Sequence, residues 1–211
     1  MKYIYLHGFA SGPDSTKARY FRDRFATGAP ELLAPDLAAG DFEHLTISGQ
    51  LGVVERIAAG EAAVLIGSSM GGYLAALYAA RHPEVAKLVL MAPAFGFARR
   101  WPASMGAERL EDWRRTGWLE TWHWAEKRTR RLSFALIEDG ARYEDNPGFT
   151  QPALIFHGSR DETVPLSYSV DFAAAHPNAK LRTFDSGHDL VDVIDRIWTE
   201  TREFLGLPPG V

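Results

Sequence analysis

Ser69 stands between two glycines, each two residues away, in the run Gly67-Ser68-Ser69-Met70-Gly71-Gly72. The run follows the apolar stretch 63–66 and opens a small-residue helical pattern. A serine raised on a sharp strand-to-helix turn is a nucleophile elbow, and its flanking positions have no room for a Cβ. Gly67 and Gly71 fill those positions, which makes Ser69 the candidate nucleophile and Ser68 a spacer. Phosphate-binding loops fit less well. A Walker loop needs Gly-Lys-Ser/Thr, whereas Gly72 is followed by Tyr73, and 67–72 does not supply G-x-G-x-x-G.

A serine hydroxyl attacks only when a base takes its proton. Of seven histidines, His82 and His176 precede prolines at helix ends, and His44 and His123 have no evident partner. His188, in "FDSGHDL", lies between the last apolar run and the last helical pattern, where catalytic loops of a parallel sheet gather. A plain surface turn is the alternative for this loop. The base in turn needs an acid to hold its tautomer. Asp161 in "HGSRDETVP" provides one, in the order Ser69, Asp161, His188. Asp185 and Asp189 are too close to His188 in sequence to orient it from across a site, and Glu162 points elsewhere along the loop. A turn-forming or helix-capping role is the other reading of Asp161. The loop after the first apolar run, His7-Gly8-Phe9, suits an oxyanion hole built from the backbone N–H groups of Phe9 and Met70. His7 and His157, each preceding a glycine, read as scaffold.

These residues need a framework. Short apolar runs at 3–6, 31–34, 63–66, 88–91, 154–156 and 181–184 alternate with helical patterns at about 14–27, 45–59, 70–81, 166–175 and 189–205. That alternation predicts an α/β fold, a mostly parallel sheet with helices on both faces, in a single domain spanning 1–211. Between 94 and 150 the rhythm breaks, and the segment holds five of the six tryptophans. Residues 98–131 carry nine Arg/Lys against five Asp/Glu in a chain of net charge −4. The expectation is a helical cap inserted above the sheet; helices packed on its flank are the alternative. Trp101, Trp113 and Trp118 are the expected substrate-contacting aromatics, and Arg99 and Arg100 could favour an anionic leaving part.

Composition excludes other classes. With no cysteine there is neither a disulfide nor a thiolate metal site. The negative balance gives no general reason to expect nucleic-acid binding. No apolar run approaches the roughly 18 residues of a membrane span, and a cytoplasmic location is expected.

Together "YLHGFASGPDSTKA", "GSSMGG", "HGSRDETVP" and "GHDL" resemble the α/β-hydrolase superfamily across essentially the whole chain. More narrowly, "LHGFxSxPxSxKA" is similar to small bacterial esterases of the YqiA type. The segment 113–143 resembles acyl-protein thioesterases that also act on acyl-glucuronides. The resemblance implies hydrolysis of a small-molecule acyl ester or thioester by Ser69, Asp161 and His188, with no metal and no organic cofactor. In one respect the sequence departs from the family, which has two further strands before the one bearing "HGF", and a reduced sheet of six strands is expected. Amide or carbon–carbon bond cleavage by the same triad, or a receptor that binds and barely hydrolyses, remain alternatives.

Overall fold

The computed structural model describes residues 1–28 and 30–208. Its centre is a six-stranded parallel sheet of β1 (Lys2–Leu6), β2 (Leu32–Leu33), β3 (Ala63–Ser68), β4 (Val85–Met91), β7 (Ala153–Gly158) and β8 (Ala179–Phe184), in the order β2-β1-β3-β4-β7-β8. All six expected runs are strands of this sheet. From β1 the chain first builds outward to β2, then crosses to β3 on the other side. The switch point between β1 and β3 opens a crevice at the carboxyl ends of the strands.

Alternation along the strands separates two cores. Ile4, Leu6, Leu65, Leu88, Leu90 and Ile155 face α2 (Ile47–Ala58), α3 (Met70–Ala79), α7 (Leu166–Ala175) and the insertion. Tyr3, Tyr5, Val64, Ile66, Val89 and Phe156 face α1 (Thr16–Phe25) and α8 (Ile194–Leu205), where Phe21 meets Trp198 edge to face. Every residue of β3 is buried, as is every residue of α3. Small residues let α3 lie close to the sheet, and a Cβ on Gly72 would already crowd Pro93 at 3.1 Å. Side chains cap two helices. Ser15 accepts from the Ala18 N–H at the start of α1, and Thr46 accepts from the Gly49 N–H at the start of α2. The last helical pattern is shorter than expected. A 3₁₀ turn at Val191–Val193 precedes α8, after Leu190 has taken a positive φ of 56°.

The insertion after β4 contains α4 (Phe97–Ser104), α5 (Ala107–Thr116) and α6 (Ala135–Gly140). It also contains a feature absent from the helical expectation, the antiparallel hairpin of β5 (Trp118–His123) and β6 (Arg128–Ser133). Leu119 pairs with Leu132 on its buried face, and both join the core beneath. The hairpin turn is tied to the loop after β1: the Trp124 N–H donates to Ala10 O at 2.8 Å. Trp113 is only 1% exposed, and its indole N–H donates to Leu132 O. Its ring packs on Trp101 and Phe134 within the core that the insertion shares with the sheet. No helix among the described residues is long and apolar enough to cross a membrane.

Candidate active site

Ser69 caps the N-terminus of α3 with φ 54° and ψ −116°, a conformation costly for any residue with a Cβ. Neighbouring backbone holds it there. Its N–H donates to Met91 O at 2.8 Å, and its carbonyl accepts from Tyr73 and Ala94. The steric argument for the glycines is visible as distances. A Cβ on Gly67 would lie 2.3 Å from Gly71 O, and one on Gly71 only 2.0 Å from Leu6 O. The turn is thus wedged against the end of β1, and the loop leaving β1 runs over it. Gly8 reaches the neighbourhood of Ser69, with 3.5 Å between its ideal Cβ position and the serine Cβ.

His188 Nε2 lies 3.0 Å from Ser69 Oγ, and His188 Nδ1 lies 2.7 Å from Asp161 Oδ2. An ionised carboxylate only accepts, so Nδ1 carries the proton and Nε2 is left to accept from the serine hydroxyl. Ser69 and Asp161, 119 and 27 positions from His188, form one hydrogen-bonded line with it. The His188 side chain keeps 24% exposure while that of Asp161 has none.

Asp161 combines the two roles that its sequence left open. Oδ1 accepts from the backbone N–H groups of Thr163 and Val164, both at 2.8 Å, which makes the turn. Oδ2 faces His188 and a second imidazole, His157 Nε2 at 3.1 Å. Burial pushes this carboxyl's pKa up, but hydrogen bonds from His157, His188 and Val164 outweigh it and hold the group below the usual carboxylate range. His157 is fully buried. Its Nε2–H is shared between Val164 O at 2.9 Å and Asp161, and Nδ1 accepts from the Ser169 hydroxyl at 2.8 Å. It is a scaffold residue in direct contact with the acid, a contact that its sequence position gives no sign of.

The His188 loop is anchored on several sides. Gly158 allows its carbonyls to close on β7, since a Cβ there would sit 2.3 Å from Ser186 O. Arg160 pairs with Asp185, Ser186 Oγ hydrogen bonds to Asp192, and Lys17 Nζ donates to Asp189 O at 2.6 Å. Burial pushes the Lys17 ammonium down to about 8, with Asp189 and Asp161 resisting the shift. Lys17 is the lysine of the "LHGFxSxPxSxKA" motif, but its contact with the His188 loop has no sign in sequence, because a lysine near the start of an amphipathic helix looks like any solvated charge.

The loop after β1 is braced by His7 and Phe9. His7 Nε2 accepts from the Leu37 N–H at 3.2 Å and its Nδ1–H donates to Gly8 O, so the ring is neutral, and burial lowers its pKa accordingly. Phe9 contacts Phe42 and Trp101, with ring centroids 5.6 and 5.1 Å apart. Of the three expected tryptophans, Trp101 alone reaches this loop. Trp118 stands against His44 and under the Arg131 guanidinium. A cavity of 270 Å³ lined by Glu55, Tyr78, Arg81 and His82 lies at the opposite end of α3 from Ser69. Among the described residues, no three His, Asp or Glu side chains are grouped to hold a metal ion.

The sequence profile of the family described as "Uncharacterised protein family (UPF0227)" matches residues 2–204. No curated protein matches the sequence. Among solved structures, a candidate hydrolase from Agrobacterium vitis S4 superposes with a TM-score of 0.83 at 26% identity, covering 96% of this chain and 87% of that one. Mouse alpha/beta hydrolase domain-containing protein 10 gives 0.79 at 19%, covering 98% and 90%. Est1E of Butyrivibrio proteoclasticus, solved with ferulic acid bound, gives 0.79 at 21%, covering 96% and 87%. The fold is that of the α/β-hydrolases, reduced to six strands.

Proposed function

The chain belongs to the UPF0227 family, and from its site we propose that it is a serine hydrolase of carboxylic esters, thioesters included. The observation that carries the reading is the unbroken line from Ser69 Oγ through His188 to Asp161, at 3.0 and 2.7 Å. The likeness in fold to Est1E, which binds ferulic acid, supports a carboxylic acid as the product.

In this mechanism His188 Nε2 takes the Ser69 proton as Oγ attacks the acyl carbonyl, and the imidazolium is held by Asp161. The carbonyl oxygen becomes an oxyanion at the mouth of the β1–β3 switch point. The backbone N–H groups of Phe9 and Met70 receive it, the latter strengthened by the first turn of α3. Loss of one such donor typically costs about 3–4 kcal/mol. His188 then returns the proton to the departing alcohol or thiol, leaving an acyl group on Ser69. Water deprotonated by His188 attacks that acyl-enzyme and releases the acid. Asp161 stays ionised throughout, as its depressed pKa requires.

Turnover of a p-nitrophenyl ester series tests the proposal. Ser69→Ala should lower kcat by several orders of magnitude, as deletion of a catalytic serine does elsewhere. A folded Ser69→Ala protein that keeps the wild-type rate would sink it.

A further inference from the structure

Two adjacent arginines open the insertion beside the triad, and they differ in one respect. Arg99 is exposed and forms an ion pair with Asp145. Arg100 is half-buried and forms no ion pair with a carboxylate among the described residues. Its Nη1 donates to Thr163 O at 2.7 Å, and its guanidinium carbon lies 5.8 Å from the centroid of the Tyr168 ring. Its Nε is buried without a hydrogen-bond partner. Cations taken partly out of water are ordinarily compensated by an anion, because desolvation of the charge and of its N–H groups opposes folding. After the Tyr168 phenol, the opposite charge acting on Arg100 is the Asp161 carboxylate. The oxygens of that carboxylate are already occupied by His157, His188, Thr163 and Val164. Glu162, the remaining acid of this loop, is exposed and forms no ion pair among the described residues.

Position gives the unpaired charge a meaning. The carbonyl that Arg100 holds belongs to Thr163, whose own N–H clamps Asp161. Arg100 therefore sits two hydrogen bonds from the catalytic acid. With Nη1 committed to Thr163, the Nη2 edge has no protein partner among the described residues. A guanidinium whose position is fixed on one side and open on another suits recognition of a carboxylate or phosphate oxygen.

We infer that Arg100 is the anion-recognition element of this site, and that the substrates are esters carrying a carboxylate or phosphate group in addition to the scissile bond. The inference rests on the hydrolase reading for the chemistry, but ligand binding is independent of turnover. A plain structural staple between α4 and the Asp161 loop would serve every ester alike, whereas anion recognition discriminates among them.

Two pairs of esters separate these roles and locate the acid group. One compares p-nitrophenyl hydrogen glutarate with p-nitrophenyl valerate, which places the charge on the acyl side. The other compares 4-carboxyphenyl butyrate with phenyl butyrate, which places it on the leaving part. In at least one pair, Arg100→Met should lower the charged-to-neutral ratio of kcat/KM by about 10- to 100-fold, the range expected for one charge-assisted hydrogen bond. Arg100→Lys should retain part of that ratio. Calorimetry of monomethyl glutarate and of 4-carboxyphenyl butyrate with Ser69→Ala protein reads binding alone, and at least one should bind more weakly by a similar factor once Arg100→Met is added. Equal loss for charged and neutral esters, an unchanged ratio in both pairs, or binding of both acids indifferent to Arg100 overturns the inference. If the wild type hydrolyses none of the four esters while the binding difference persists, the hydrolase reading fails and the anion site stands.

Discussion

At the scale of single residues, Asp161 carries the heaviest electrostatic load. Four donors converge on a carboxylate with no side-chain exposure, and two of them are imidazoles that share Oδ2. His157 draws charge from the oxygen that must also stabilise the His188 imidazolium. Replacing His157 with Phe removes that competitor, so Asp161 should hold the His188 imidazolium more strongly. The acid limb of kcat/KM should then move to higher pH by about half to one unit, part of the worth of one charge-assisted hydrogen bond. His157→Gln, whose amide N–H can reach the same oxygen, should leave the limb near its wild-type position. A folded Phe variant with an unmoved limb would reduce His157 to a filler. Asp161 also links pH to stability. Its pKa is depressed in the folded state, so its contribution to stability is present above about pH 4 and is lost as the pH falls below that value. Thermal melts of Asp161→Asn between pH 7 and pH 3 should show a smaller acid-side loss than wild type, together with a kcat lower by orders of magnitude. Identical acid profiles would contradict the assignment of that charge.

At the scale of elements, the elbow depends on close approach of α3 to β1. Gly71→Ala places a methyl carbon about 2 Å from Leu6 O, and that neighbour is backbone, which cannot swing aside. The substitution should cost more than about 3 kcal/mol, at the severe end of single-residue effects, and appear as a large fall in Tm or as loss of soluble protein. A variant with wild-type Tm would mean that the turn has slack that the structure denies. The elements show where sequence is informative. The strands beneath the site were legible because both faces of the sheet are covered, which leaves apolar runs with clear ends. Ser69, Asp161 and His188 lie just past such ends, so their convergence could be anticipated. The β5–β6 hairpin was not legible. Its turn, Trp124-Ala125-Glu126-Lys127, has no glycine, asparagine or proline, and Lys127 itself adopts a φ of 53°. Its strands are rich in charge, and only Leu119 and Leu132 mark the buried face clearly. Trp113 marks the same limit in the insertion, since its sequence position does not tell a ring that lines a pocket from one packed on Trp101 and Phe134.

At the scale of the whole molecule, the sheet and the insertion meet at the loop after β1. That loop is held on the sheet side by the close approach of Gly71 to Leu6, and on the insertion side by Trp101 against Phe9 and by the Trp124 N–H on Ala10. The contacts of Arg100 were also invisible in sequence, since two neighbouring arginines look equivalent until one finds Asp145 and the other does not. A triad held in this way should activate a single serine on a surface with many hydroxyls. Reaction of the folded protein with a fluorophosphonate, read by intact mass and peptide mapping, tests this most directly. One adduct is expected, on Ser69, formed by wild type and abolished in Ser69→Ala. Absence of an adduct from folded wild type, or an adduct that survives Ser69→Ala, would contradict the triad.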